Sequence, residues 1–283
     1  MHAALGQKVV LVTGCSEGGI GFALAEEFAA RNCIVYGSAR NVAKMASLAP
    51  AVHQIALDVT SDESIAGAVK LIMEEQGRID ILVNNAGVSR GGPLLDIPFE
   101  DIKNVYEANI FSIIRTVKAI APDMCRRKQG LIINVGSIFG TFAPPWSSIY
   151  GSSKAAVHML TNSLKMELSP FNVSVMLVAP GAVRTGIANH SASSWSLPEN
   201  SVYAEYADSI RQGLTAVQRT KALTPEQFAK PVVDKALRRS PPYFVSFAPA
   251  AGLFKLFSWL PSAWVRWIFG RWYLRLSPKS KTA

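Results

Sequence analysis

Six short runs of Val, Ile and Leu recur along the chain, separated by amphipathic stretches. The runs are Lys8–Thr13, Cys33–Gly37, His53–Val59, Ile79–Asn84, Gly130–Val135 and Val173–Ala179. The amphipathic stretches lie near 20–31, 62–76, 99–127 and 149–169. Strands this apolar must be covered on both faces. Their alternation with helices predicts a parallel sheet in a doubly wound α/β fold of the Rossmann type, with helices on both faces. That domain is expected to fill residues 5–250, followed by a C-terminal tail over 251–283. A helix over 224–239 has Thr224 as cap, Pro225 at its first position and Gln227 completing a capping box. Pro231 should kink or shorten it, and a last strand, Tyr243–Phe247, should follow. Residues 186–224 lose the alternation and read as an excursion that covers a site.

Composition narrows the partners. The chain has 283 residues, 49% hydrophobic and 17% charged, which suits a globular protein with a sizeable core. Its formal net charge of +9 favours anionic partners. The basic clusters Arg126-Arg127-Lys128 and Arg238-Arg239 are short and read as solvated faces, and no nucleic-acid reading module is present. Cys15, Cys33 and Cys125 have no metal-ligand spacing, so neither a metal site nor a disulfide framework is expected, and a reducing, intracellular compartment is. Met1 to Lys8 holds no apolar core of signal-peptide length.

Several motifs carry chemistry. The first strand runs through Thr13-Gly14-Cys15-Ser16-Glu17-Gly18-Gly19-Ile20-Gly21 directly into a helix. Glycines there let the backbone approach a pyrophosphate, and the helix start offers N–H groups and a positive dipole end. The second strand ends at Gly37-Ser38-Ala39-Arg40 with no acidic residue for ribose hydroxyls. Arg40 suits a 2′-phosphate and favours NADP, while the charge of Glu17 argues the other way. Asp58, before Val59, either accepts from an adenine amino group or caps the helix beginning near Ser61. Asn84-Asn85-Ala86-Gly87 either bridges neighbouring strands beside a ligand or forms a turn. Tyr150 and Lys154 lie one helical turn apart, and a cation beside a phenol lowers its pKa, fitting it for proton transfer. Trp146 and Phe142 are candidates for a pocket wall, His190 for a substrate contact, and His158 for a packed helix residue.

Taken together, the glycine turn, Asn84-Asn85-Ala86-Gly87, Ser137 and the Tyr150–Lys154 pair resemble the short-chain dehydrogenase/reductase family, over roughly Val9 to Thr185. The resemblance implies a catalytic set of Asn109, Ser137, Tyr150 and Lys154. Tyr150 would donate the proton to a carbonyl, Lys154 would tune it and hold the nicotinamide ribose, Ser137 would bond the substrate oxygen, and Asn109 would hold a water leading to Lys154. It implies NADP(H) held by Gly14, Ser16, Gly19, Ile20, Gly21, Arg40, Asp58, Val59, Asn85, Ala86, Gly87, Tyr150, Lys154, Pro180, Gly181, Val183 and Thr185. The turn is one residue longer than the commonest spacing, leaving the roles of Gly18 and Gly19 open. Gly136 stands where the family usually has a serine. The turn, the stretch Phe22–Phe28 and Ser38-Ala39-Arg40 are most similar to the fungal NADPH-dependent 1-acyldihydroxyacetone-phosphate reductase group, which implies a hydrophobic lipid ketone. A ketone of secondary metabolism or a steroid is the alternative, and a non-catalytic dinucleotide sensor the alternative outside enzymes. A homodimer or homotetramer is implied, cytosolic or peripheral on endoplasmic reticulum or lipid droplets.

Residues 241–283 contain no Asp or Glu but hold six Lys or Arg and four tryptophans, Trp259, Trp264, Trp267 and Trp272. Charges and Pro261 break the apolar stretches well short of the roughly 20 residues a spanning helix needs. Such a segment either lies in a membrane interface or packs as a helix over the substrate pocket or between subunits.

Overall fold

The computed structural model describes residues 6–186, 195–215, 221–247, 252, 256–257 and 259–274, with backbone alone at 272–274. His190, Lys255, Arg275, Lys279 and Lys281 lie outside the described residues, as do 187–194 and 216–220 of the expected excursion.

Seven parallel strands form one sheet in the order β3-β2-β1-β4-β5-β6-β7. They are β1 (Val9–Thr13), β2 (Ile34–Ala39), β3 (Val52–Ala56), β4 (Ile81–Asn84), β5 (Gly130–Val135), β6 (Val173–Val178) and β7 (Phe244–Val245). The central strands are buried along their whole length, as their sequences require. At the edge, β3 is only partly covered, with Val52 and Ile55 buried and His53 and Ala56 exposed. It stops at Ala56, short of the expected Val59, and β7 spans only two residues of the expected run.

Helices α1 (Ile20–Ala30) and α7 (Pro225–Ala236) cover one face, where Leu24 and Phe28 meet Phe228, Val232 and Val233. On the other face α2 (Asp62–Gln76), α4 (Ser112–Arg127) and α5 (Ser148–Leu168) contribute Ile72, Ile113, Val117, Ile120, Met124 and Val157. The Thr224–Gln227 capping box is present at the start of α7. That helix passes through Pro231 and ends at Ala236, before the expected Arg239.

The stretch expected as one helix over 99–127 is three pieces. Between α3 (Phe99–Tyr106) and α4 lies a π-helical turn, Glu107–Phe111, with Asn109 inside it. Such turns are frequent at functional sites. The described part of the 186–224 excursion is partly helical, with α6 at Ala207–Leu214.

A buried polar chain crosses the sheet. Thr116 Oγ1 donates to Asn84 Oδ1 (2.7 Å), Asn84 Nδ2 to Asn134 Oδ1 (2.9 Å), and Asn134 Nδ2 to Thr161 Oγ1 (3.0 Å). It joins α4, β4, β5 and α5 with each buried amide partnered, as burial demands. From the tail, α8 (Ser262–Leu274) turns Val265 and Phe269 inward. With Phe257 they pack against Ile138, Phe139 and Phe142. Among the described residues no helix is long and apolar enough to cross a membrane.

Candidate active site

Strand β1 pairs with β2 on one side and β4 on the other, so the sheet order reverses between β1 and β4. Such a reversal opens a crevice beyond the carboxyl ends of the strands. The loop positions named from sequence all follow those ends. Gly14 to Gly21 follow β1, Arg40 follows β2, and Asp58 and Val59 follow β3. Asn85 to Gly87 follow β4, Ser137 follows β5, and Pro180 to Thr185 follow β6.

The loops after β1 and β4 are stitched together. Asn85 Nδ2 donates to the carbonyls of Thr13 (2.9 Å) and Gly14 (3.1 Å), and Thr13 Oγ1 accepts from the N–H groups of Asn85 and Ala86 (3.0 Å each). Asn84, by contrast, faces the buried polar chain. Gly14 has φ +73°, and a Cβ there would meet Ala86 Cα at 2.8 Å, so only glycine lets these backbones come so close. The open question about the longer turn has a structural answer. Gly18 takes the left-handed conformation, at φ +70°, and Gly19 is the extended residue that starts α1. No side chain caps α1, so its first N–H groups are left for an anion. This cradle fits the pyrophosphate of a dinucleotide.

Cys15 sits in the same turn but is buried, and burial pushes its thiol up to about 12, which leaves it protonated and inert. Asp58 Oδ1 accepts from Thr60 N (2.9 Å) and Thr60 Oγ1 (2.7 Å), while Ser61 caps α2. The helix-capping alternative for Asp58 is therefore set aside. Its carboxyl is held below the usual range by those Thr60 bonds and the charge of Arg40, against a desolvation cost that pulls the other way. Arg40 itself is exposed at the rim.

The four residues of the implied catalytic set converge from three elements. Tyr150 and Lys154 lie on successive turns of α5, Ser137 just beyond β5, and Asn109 in the π-turn. Lys154 Nζ donates to Val135 O (2.9 Å) and lies 5.8 Å from the Tyr150 ring centroid. The Ser137 hydroxyl neighbours the Tyr150 phenol and favours its ionised form, and Ser137 Oγ accepts from Phe139 N (3.2 Å). Asn109 is fully buried, and its amide is committed to protein. Oδ1 accepts from Val88 N (2.8 Å), and Nδ2 donates to Val88 O (3.0 Å) and Ser153 Oγ (2.9 Å). Ser153 Oγ in turn donates to Tyr150 O. Asn109 therefore ties the loop after β4 to α5. Both amide donors are committed to protein, so only the second lone pair of Oδ1 is left for the water that the resemblance implies. Ser153, Val88 and Val135 carry the geometry without a sequence signal of their own, apart from the closeness of Ser153 to Tyr150.

The electrostatics differ from the expectation. Burial pushes the Tyr150 phenol above its usual pKa, and the neighbouring Ser137 hydroxyl lowers it only in part. Lys154 does not offset that burial in the chain by itself. Burial also draws Lys154 down to about 8. An ammonium has three donors, of which Val135 O takes one, and this suits the ribose hydroxyls of a bound nucleotide.

The expected wall residues are placed too. Phe139 lies edge-on to Tyr150, with centroids 6.3 Å apart, and Phe142 joins it against α8. Trp146 is buried at φ +70° and meets Tyr203 edge-on.

Residues 8–195 match the short chain dehydrogenase family. The chain belongs to that family. This makes it an oxidoreductase acting between alcohol and carbonyl groups. It is 32% identical over 262 residues to a 3-ketodihydrosphingosine reductase of Bacteroides thetaiotaomicron, covering 90% of this chain and 93% of the relative. It is 36% identical over 228 residues to an NADPH-dependent 1-acyldihydroxyacetone phosphate reductase of Schizosaccharomyces pombe, covering 79% and 76%. A metagenomic short-chain oxidoreductase solved in complex with NADP superposes with a TM-score of 0.67 at 27% identity, over 86% of this chain and 97% of the other.

The depressed pKa of Lys154 has a consequence for stability. Between about pH 8 and its unfolded value of 10.5 the unfolded chain binds more protons than the folded one. Stability from this group therefore rises with pH in that window, and the burial penalty is fully present below it. Lys154→Met removes the penalty, so its stability relative to wild type should fall by about 2 kcal/mol between pH 7 and 9.5. Urea denaturation at the two pH values checks this, and a pH-independent difference contradicts it.

Proposed function

We propose that this chain is an NADP(H)-dependent carbonyl reductase that acts on the ketone of a long-chain lipid, 1-acyldihydroxyacetone-phosphate-like in type. The observation that carries the reaction is the convergence of Tyr150, Ser137 and Lys154 beside the crevice where the sheet order reverses. When bound, the nicotinamide cofactor supplies hydride to the carbonyl carbon. Tyr150 gives its proton to the carbonyl oxygen, which becomes the alcohol. Ser137 hydrogen-bonds that oxygen as negative charge develops on it. Lys154 holds the ribose. Its lowered pKa fits it to pass a proton back to the phenolate.

Two features support the substrate class. Ile138, Phe139 and Phe142 make an apolar wall beside Tyr150, backed by Phe257, Val265 and Phe269. Among the described residues the buried indole N–H groups of Trp146 and Trp195 have no protein acceptor, and Trp195 packs on Gly92, whose N–H donates to the Trp146 carbonyl. An apolar wall with unspent donors suits a chain that bears oxygen atoms at one end. The reductases of B. thetaiotaomicron and S. pombe are both named for ketones of this kind.

The outward face of α8 is the contact with lipid. Trp264, Trp267 and Arg271 share one stripe, Trp264 and Trp267 are 65% and 60% exposed, and Arg271 stacks on Trp267 at 4.7 Å. Aromatic rings with cations and no acidic residue suit an anionic membrane surface.

Three measurements test these assignments. Tyr150→Phe should lower kcat with NADPH by at least about a thousandfold while the protein still binds NADPH, and the wild type should favour the acyl-lipid ketone over a steroid and a polyketide ketone. Undiminished reduction by the variant ends the mechanism, and a preferred steroid ends the substrate class. Arg40→Ala should weaken NADPH about ten- to a hundredfold and leave NADH nearly unchanged in fluorescence titrations. Equal losses would remove the 2′-phosphate role. Trp264→Ser combined with Trp267→Ser should cut sedimentation with phosphatidylglycerol vesicles about tenfold. If the pair instead changes only the oligomeric state in light scattering, α8 meets a second copy and not a membrane.

A further inference from the structure

Tyr150, Lys154 and His158 recur every four residues along α5, so they form one stripe on the helix. The first two carry the proposed proton transfer. The third has no part in it, yet it faces the same strand end.

The His158 ring occupies a slot between two glycines. A Cβ at Gly136 would come within 2.6 Å of Nε2, and one at Gly140 within 2.7 Å. Real Cβ atoms do not approach that closely, so ring and glycines require one another. Nε2 accepts the Ser137 N–H in a long hydrogen bond of 3.5 Å. The ring is then neutral, with its proton on Nδ1. Burial and the Lys154 charge keep it so, pushing its pKa down to about 4. The serine held by its backbone here is the one whose side chain meets Tyr150. One residue before Gly136, the Val135 carbonyl accepts from Lys154. The strand end at 135–137 is therefore fastened to α5 at two successive turns, first by Lys154 and then by His158.

We propose that His158 is a positioning residue that, wedged between Gly136 and Gly140, holds the Ser137 backbone and so sets the Ser137 hydroxyl against Tyr150. This rests on the role given to Ser137 above. It also accounts for glycine at 136, since a side chain there would collide with the ring.

Two substitutions separate holding from filling. His158→Gln puts an acceptor at the reach of Nε2, whereas His158→Leu fills similar space without one. Hydrogen exchange of peptides containing residue 137 reads the backbone directly, without substrate. Exchange should quicken in the Leu variant and keep the wild-type rate in the Gln variant. With NADPH and a ketone that the wild type reduces, Leu should lower kcat about tenfold while the NADPH dissociation constant stays within about twofold, and Gln should recover most of the loss. Unchanged exchange at 137 in the Leu variant, or equal losses of kcat in both variants, reduces His158 to packing and overturns the proposal. A wild type that reduces no ketone refutes the proposed function, while the exchange result still decides the role of His158. His158→Ala, which empties the slot, replaces Leu if that variant fails to fold.

Discussion

One buried hydrogen bond, from Lys154 Nζ to the Val135 carbonyl, holds the helix that carries Tyr150 against the strand that leads to Ser137. An ammonium in this place loses its hydration, and one carbonyl does not replace it, hence the fall in its pKa. The fold supports that cost from below. The chain Thr116–Asn84–Asn134–Thr161 locks α4, β4, β5 and α5 in register beneath the site. Asn109 and Ser153 do the same above it, tying the loop after β4 to the first turns of α5. The frame around the site is ordered because its buried amides are mutually satisfied, as buried polar networks must be to add order.

The cofactor side and the substrate side are built differently. On the cofactor side glycines and backbone groups crowd together, with Asn85 joining the loops after β1 and β4. Little there can vary without collision. On the substrate side apolar side chains from α8 lean on Ile138, Phe139 and Phe142. Such a wall tolerates exchange of one apolar group for another. This fits a family in which one reaction serves many ketones.

Much of this was legible in the sequence, for identifiable reasons. The doubly wound sheet follows from its near-continuous Val, Ile and Leu strands, although β4 starts two residues later than expected and both edge strands are shorter. Edge strand β3 is only partly covered, so its ends lack a sharp apolar boundary. The capping box at Thr224 read correctly because its two bonds are local. The break at 107–111 was missed, since a π-turn keeps helical composition and only shifts the hydrogen-bond register. The engagement of the Asn109 amide by Val88 was also invisible, because that contact is long-range. The expected lowering of the Tyr150 pKa failed for another reason. Pair spacing reports the neighbouring charge but not the desolvation that opposes it. The tail composition suited either a membrane interface or a packed helix, and the structure buries Val265 and Phe269 of α8 while Trp264 and Trp267 stay exposed.

The π-turn bears on how this chain can change in length. A helical residue occupies about 100° of rotation, so one residue more or fewer reorients everything beyond it. The wide turn at Glu107–Phe111 absorbs one such residue between α3 and α4. Upstream, Val105 faces the core, and downstream Ile113, Thr116, Val117 and Ile120 do. Loss of a single residue here would leave a smooth α-helix with good local geometry. It would also swing either Val105 or the whole inner stripe of α4 out of phase with the sheet, and carry Asn109 away from Val88. A deletion that regularises the helix would thus undo the site, and local regularity is the wrong guide to fitness at this point of the chain.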